Sequence, residues 1–197
     1  IMIGGGETQA FQFLSAILND LMENYPDIKV HMYSGNADDV KDKIDKGLLD
    51  FGLVIDPVEK QKYEYVSLPV VDRWGILINQ EHKLAKKGYV TPADLKKQPL
   101  MISSQTLVNN QLSEWLGGNL NNFTVVGSYN LLYNASLLVK EGAIVAFGID
   151  GIINTKESGL VFIPLKPALT STISVIWKKK QVFSNAAALF LERLVNQ

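Results

Sequence analysis

The sequence opens with the stretch Ile1-Met2-Ile3-Gly4-Gly5-Gly6-Glu7-Thr8, which is followed by a long amphipathic run. A short apolar strand therefore enters a glycine turn, and the turn is predicted to lead into a helix over residues 8–25. Glycine lets the backbone turn tightly and approach a ligand. The first N–H groups of a helix have no partner within it. The pattern predicts an anion site at Gly6, Glu7 and Thr8; the simpler alternative is a tight strand–helix connection.

Composition excludes several classes of site. The chain has 197 residues, is 47% hydrophobic and carries a net charge of −1, so it predicts no nucleic-acid-binding surface. No cysteine is present, which rules out disulfides and thiolate chemistry. The two histidines, His31 and His82, are predicted to be structural or solvated, and we expect no metal, no cofactor and no catalytic site. No apolar run would span a bilayer and no signal peptide is visible, so we expect no membrane contact.

The first third of the chain alternates between strand and helix patterns. After the opening strand and helix come a predicted strand over Ile28–Tyr33, a helix around Val40 and Ile44, and a buried strand over Phe51–Ile55. Such alternation predicts a parallel sheet with right-handed crossovers. Two extended runs follow, and we expect Asp72-Arg73 to separate them. The runs cover Tyr63–Val71 and Trp74–Asn79.

The same plan recurs in the second half, which predicts two α/β lobes. Its segments are a strand over Pro99–Ile102, a polar turn over Ser103–Thr106, a strand over Phe123–Val126, a turn over Gly127–Asn130, a helix over Leu131–Glu141 and a buried strand over Ala143–Phe147. A closing apolar helix over Val182–Val195 is expected to return to the first lobe. The chain then crosses twice, near residues 72–73 and 168–171. We therefore predict lobes of residues 1–71 with 172–197 and of residues 72–171.

Small polar groups follow the predicted strands of both halves. Because parallel strands end at one edge of their sheet, these groups are expected to face one ligand. Hydroxyls and backbone N–H groups hold a small carboxylate without transforming it. The alternative for Ser103 and Ser104 is that they only cap the next helix. The candidate ligand-binding residues are Gly6, Glu7, Thr8, Ser103, Ser104, Gln105, Thr106, Tyr129, Asn130, Phe147 and Gly148.

Several motifs together resemble the effector-binding domain of the LysR-type transcriptional regulators over nearly the whole chain. The most specific are Glu81-His82-Lys83-Leu84-Ala85, Val90–Leu95 and Pro99–Ile102, joined by Phe13–Pro26, Lys46–Val54, Leu138–Phe147 and Ile176–Lys179. Two positions depart from the pattern. Lys83 stands where the family commonly has proline. Glu7 is an acid beside the expected anion site, where it favours an effector amine or hydroxyl instead.

The resemblance implies a fold similar to that of type II periplasmic binding proteins: α/β, with two Rossmann-like lobes joined by two crossing strands. It implies a small-molecule effector in the cleft between the lobes, a cytoplasmic location, and DNA binding only through an N-terminal winged helix-turn-helix absent from this chain. We expect a homodimer, or a tetramer in the full-length protein, with the first helix of each chain against its partner's second lobe. The wide apolar face of that helix favours the same pairing.

Two other functions stay open on the sequence alone. A solute-binding protein of an ABC transporter and an enzyme on the same fold are both compatible with two α/β lobes. The residues name neither the effector nor the regulated genes, and they do not distinguish an activator from a repressor.

Overall fold

The computed structural model describes residues 1–59, 61–104 and 111–196. They form two compact units: unit 1 is Ile1–Val71 with Ser171–Gln197, and unit 2 is Asp72–Thr170. The second boundary falls one residue before the position expected from the sequence. Within the described ranges, no helix is both long and apolar enough to cross a membrane.

The described elements alternate as an α/β fold requires. In chain order they are β1 Met2–Gly5, α1 Phe11–Asn24, β2 His31–Ser34, α2 Ala37–Asp45, β3 Phe51–Ile55, β4 Tyr63–Asn79, α3 Pro92–Leu95, β5 Pro99–Ser103, α4 Gln111–Trp115, a 3-10 turn Leu120–Asn122, β6 Thr124–Tyr129, α5 Leu132–Lys140, β7 Val145–Ile149, β8 Leu160–Pro164, β9 Thr170–Lys178 and α6 Asn185–Val195.

Unit 1 is a sheet with helices on both faces. Its strand order is β2-β1-β3-β9-β4, with β1 parallel to β2 and β3, and β9 antiparallel to β3. The closing helix α6 packs with α1 on one face, as predicted, because Phe190 and Leu194 join the core that contains Leu14. Phe51 anchors this face, with its ring centroid 4.9 Å from that of Phe190. Helix α2 covers the other face through Val40 and Ile44.

Unit 2 has the strand order β6-β5-β7-β4-β8. Strands β5, β6 and β7 are parallel, whereas β4 runs antiparallel to both β7 and β8. Helix α5 packs on this sheet through Ala135 and Val139. The strands of the first third, β1, β2 and β3, are parallel as the alternating pattern predicts, and the antiparallel strands β9 and β4 make both sheets mixed.

Several element boundaries differ from those predicted, and three of the differences bear on the candidate site. Gly4 and Gly5 lie inside β1 rather than in a turn; a Cβ on Gly4 would stand 2.4 Å from Leu49 Cδ1, so close packing selects glycine there. Strand β4 runs through Asp72 without a break. Strand β6 continues to Tyr129, so the predicted turn over 127–130 is mostly strand.

Candidate functional site

In unit 1 the carboxyl ends of three parallel strands meet at one edge of the sheet. Gly6, Glu7 and Thr8 follow β1 there, and all three are half-buried. The N–H of Gly35, just after β2, donates to the carbonyl of Gly5 at 3.0 Å and ties the two strand ends together. This edge is where open α/β sheets bind ligands.

The opening helix begins later than predicted, and this changes the chemistry at the edge. Helix α1 starts at Phe11, not at Thr8. The Ala10 N–H donates to Thr8 Oγ1 at 3.0 Å, and the Phe11 N–H donates to the Thr8 carbonyl at 3.3 Å. The N–H groups of Gln12 and Phe13 are bonded in the same way to carbonyls one turn earlier. The premise that unpaired helix N–H groups point outward at residues 6–8 is therefore wrong.

A chain of polar groups at the end of β3 was missed by the sequence reasoning. The Ser174 hydroxyl donates to Asp56 Oδ1 at 2.8 Å, and it lies 3.2 Å from the hydroxyl oxygen of Ser67. Ser174 is fully buried, whereas Asp56 is half-buried at the carboxyl edge. A serine within the apolar run Ile173–Ile176 was the available signal, because a buried hydroxyl needs a partner.

In unit 2 the ends of β5 and β6 bring part of the predicted set together. Ser103 pairs with Tyr129 in the strand register and is buried, and Ser104 is helical and half-buried. The Tyr129 hydroxyl donates to the carbonyl of Phe147. These four residues therefore converge within one unit. Gln105 and Thr106 lie outside the described residues.

The remaining predicted residues of unit 2 differ in their access to solvent. Gly148 is buried, and a Cβ there would stand 2.8 Å from Leu132 Cδ2. The Phe147 side chain is fully buried and meets the ring of Trp115 edge-on at 6.3 Å. Asn130 is exposed, and its Oδ1 accepts a hydrogen bond from the Leu131 N–H at 2.9 Å. Phe147 and Gly148 are thus buried, and the Tyr129 hydroxyl lies beside their backbone.

Some charged groups within each unit form ion pairs at the surface. In unit 2 the Arg73 guanidinium binds the Asp150 carboxylate, close after the strand β7. The ammonium of Lys87 and the backbone N–H of Thr91 hold the pKa of Asp94 below its usual range. Among the described residues no group of three histidine, aspartate or glutamate side chains is placed to hold a metal ion.

Comparison with known families gives a match over the whole chain. The family model described as LysR substrate binding domain matches residues 1–197. The HTH-type transcriptional regulator YwbI of Bacillus subtilis is 23% identical over 201 residues, covering 97% of this chain and 62% of that protein. YbhD of Escherichia coli, also named an HTH-type transcriptional regulator, is 25% identical over 199 residues and is covered to 60%. The chain thus spans about three fifths of these two relatives.

Solved structures show the same fold at low identity. The effector-binding domain of QuiR in complex with shikimate superposes with a TM-score of 0.80 at 13% identity, covering 98% of this chain and 94% of that one. The CcmR regulatory domain of Synechocystis PCC6803 in complex with 2-PG has a TM-score of 0.76 at 17% identity, covering 99% and 95%.

Proposed function

The chain belongs to the LysR substrate-binding domain family, and we propose that it is the effector-sensing part of a transcriptional regulator that binds DNA through an N-terminal winged helix-turn-helix. The observation that carries this proposal is the family match over residues 1–197. The relatives named as HTH-type regulators support it over a transporter's solute-binding protein. The family is one of regulator domains, not of enzymes. A cytoplasmic location follows from the same proposal.

We propose that polar groups at the strand ends of the chain bind a small effector. Unit 1 offers Gly6, Glu7 and Thr8 at the end of β1, and unit 2 offers Ser103, Ser104 and the segment up to Thr106, together with Tyr129 and Asn130. A carboxylate on the effector suits the hydroxyl donors of the second set. The complexes of QuiR with shikimate and of CcmR with 2-PG support an anionic effector in this fold.

The experiment is a thermal-shift screen of small carboxylates, hydroxy acids and amino acids, followed by calorimetry on variants. Thr8→Ala and Ser104→Ala should each weaken binding by about ten- to a hundredfold, because a hydrogen bond to a charged group contributes about 1.5–3 kcal/mol. Thr8→Ser keeps the hydroxyl that caps Ala10 and is the matched control. Unchanged affinity in both alanine variants would place the effector elsewhere.

We further propose a homodimer built from two exposed apolar patches. The first is in unit 1: Met22 on α1 and Tyr25 just after it are 48% and 44% exposed, and Met32 on the edge strand β2 is 64% exposed. Met32 pairs with Ile3, whose side chain lies in the α1 core, so Met32 is on the same face of the sheet as α1. Isolated apolar residues need no explanation, but a patch on an edge strand and its covering helix indicates an interface.

The second group of exposed apolar side chains lies in unit 2. Val126 on the edge strand β6 is 49% exposed, and Tyr133 and Leu137 on α5 are 62% and 51% exposed. An antiparallel pairing in which the first patch of one protomer covers the second patch of its partner would bury both patches twice, in an isologous dimer. The full-length protein would add contacts of its own, which is consistent with a tetramer.

Sedimentation at tens of micromolar tests the dimer. The wild-type chain should sediment as a dimer, and Met32→Asp or Tyr133→Asp should give monomers because each places a charge in an apolar interface. Val182→Asp is the control, since Val182 is 94% exposed and lies outside both patches. A monomeric wild-type chain, or dimers in both patch variants, would contradict the proposal.

A further inference from the structure

The segment of unit 2 between β4 and β5 is rich in exposed lysines, although the whole chain has a net charge of −1. Residues 83–97 contain five lysines and a single acid, Asp94. A sixth lysine, Lys166, stands over the ring of Tyr89 with 4.3 Å between its Nζ and the ring centroid, so it belongs to the same surface. We call this group the lysine patch. Its members are Lys83, Lys86, Lys87, Lys96, Lys97 and Lys166.

The single acid of the segment is already engaged. Asp94 accepts hydrogen bonds from the Thr91 N–H and hydroxyl, each at 2.9 Å, and it pairs with the ammonium of Lys87. Lys83, Lys86, Lys96 and Lys97 are all exposed and form no ion pair within the described ranges. Four ammonium groups therefore face solvent without a neutralising partner in this part of the chain.

The backbone that carries these lysines is held in place by three buried residues. Leu84 is 6% exposed, and Val90 and Leu95 are fully buried. Val90 is bonded on both sides to the end of β8, through the Pro164 carbonyl at 3.0 Å and the Lys166 N–H at 2.8 Å. A fixed backbone keeps these lysines close together along the segment, so less backbone entropy is lost when the segment binds a large polyanion.

We propose that the lysine patch contacts the phosphate backbone of duplex DNA without reading its sequence. Lysine is a compact, mobile point charge that suits phosphates and carries no base-specific geometry. Duplex DNA carries about one negative charge per 1.7 Å of its length, which makes it the densest polyanion near a regulator. This inference rests on the proposed function, in which an N-terminal helix-turn-helix brings this chain to DNA and so raises the local concentration of phosphates.

The proposal departs from the expectation that this chain has no nucleic-acid-binding surface. That expectation rested on the net charge, which averages the lysine patch with the acids elsewhere in the chain. The patch is distinct from the strand ends proposed to hold the effector, because it lies on the segment between β4 and β5 and beside Lys166.

The test measures binding of the 197-residue chain to a fluorescent random-sequence duplex by anisotropy, at several salt concentrations. Each phosphate neutralised contributes about 0.9 to the slope of log K against log salt, so four contacts predict an affinity loss of about 150-fold between roughly 50 and 200 mM salt. A variant with Lys83, Lys86, Lys96 and Lys97 all changed to glutamine should lose that salt-dependent binding.

A matched control removes the same charge elsewhere. It changes Lys29, Lys46, Lys179 and Lys180 to glutamine; all four are exposed and belong to unit 1. Melting curves of both variants check that they fold. Retained binding in the control and lost binding in the patch variant would support the proposal. No binding by the wild-type chain at low salt, equal loss in both variants, or equally tight binding to a polyglutamate peptide would each overturn it.

Discussion

Replacing Ser174 with alanine should destabilise unit 1 by about 1.5–2 kcal/mol. The Ser174 hydroxyl is fully buried and donates to the Asp56 carboxylate at 2.8 Å. A hydrogen bond to a charged group contributes about 1.5–3 kcal/mol, and we expect the lower part of that range because Asp56 is half-buried and water can partly replace the lost donor. Urea denaturation followed by circular dichroism measures the free energy of unfolding.

A double-mutant cycle isolates the pair from its surroundings. Ser174→Ala, Asp56→Ala and the double variant should give a coupling energy of about 1 kcal/mol, because the two side chains are in direct contact. Ser67→Ala is the control, since Ser67 is exposed and its loss should cost less than about 0.5 kcal/mol. A coupling energy below about 0.5 kcal/mol would refute the reasoning that this buried hydroxyl fixes the carboxylate at the end of β3.

Three further changes probe the rest of the fold. Gly75→Ala should cost at least about 2 kcal/mol, because a Cβ there would stand 2.5 Å from the Ile163 carbonyl oxygen on the paired strand. Phe190→Ala should cost about 3–5 kcal/mol, since the ring is fully buried between α6 and the unit 1 sheet. Asp94→Asn should flatten the pH dependence of the free energy of unfolding. Lys87 and Thr91 lower the pKa of Asp94, so its contribution to stability is present above about pH 4 and is lost as pH falls through the lowered pKa.

Each of these changes has its own control or contrary result. Gly88→Ala meets no atom within 4 Å and should leave stability unchanged, so equal effects at Gly75 and Gly88 would contradict the register of β4 with β8. Val182→Ala changes a side chain that is 94% exposed, and an equal loss of stability in this variant would contradict the burial of Phe190 in the core. An acid transition in Asp94→Asn identical to that of the wild type would show that Asp94 contributes nothing to the pH dependence.

The sequence predicted the alternating elements well where hydrophobic period and stop signals agree. Helix α1 shows a helical apolar spacing and ends two residues before Pro26, and α6 packs in the unit 1 core as predicted. Hydrophobic periodicity does not specify which strands pair, and the resemblance to a known family supplied that part of the prediction. In unit 2, β4 runs antiparallel to both β7 and β8, and no local sequence pattern predicts this pairing because it forms only in the folded sheet.

The candidate site was harder to predict, for physical reasons that are visible in three places. The run of glycines predicted a turn, but Gly4 and Gly5 lie in a strand. Glycine fits there because Leu49 and Leu53 approach closely where a Cβ would stand. The sequence reasoning began α1 at Thr8, but the helix begins at Phe11, and the Thr8 hydroxyl accepts a hydrogen bond from the Ala10 N–H just before it. Ser174 and Asp56 are 118 positions apart, so their contact requires the folded sheet.

Calorimetry on the chain with the best compound from a thermal-shift screen tests the central claim most directly. A saturating effector at about a hundred times its Kd adds about 2.7 kcal/mol, which predicts a rise in Tm of about 5–11 °C for a chain of this size. Effector sensing predicts such a compound, with one site per chain and affinity weakened at least tenfold by Thr8→Ala but not by Thr8→Ser. Failure of every carboxylate, hydroxy acid and amino acid to raise Tm, or equal affinity in the Thr8→Ala variant, would contradict the assignment of the strand ends as the effector site.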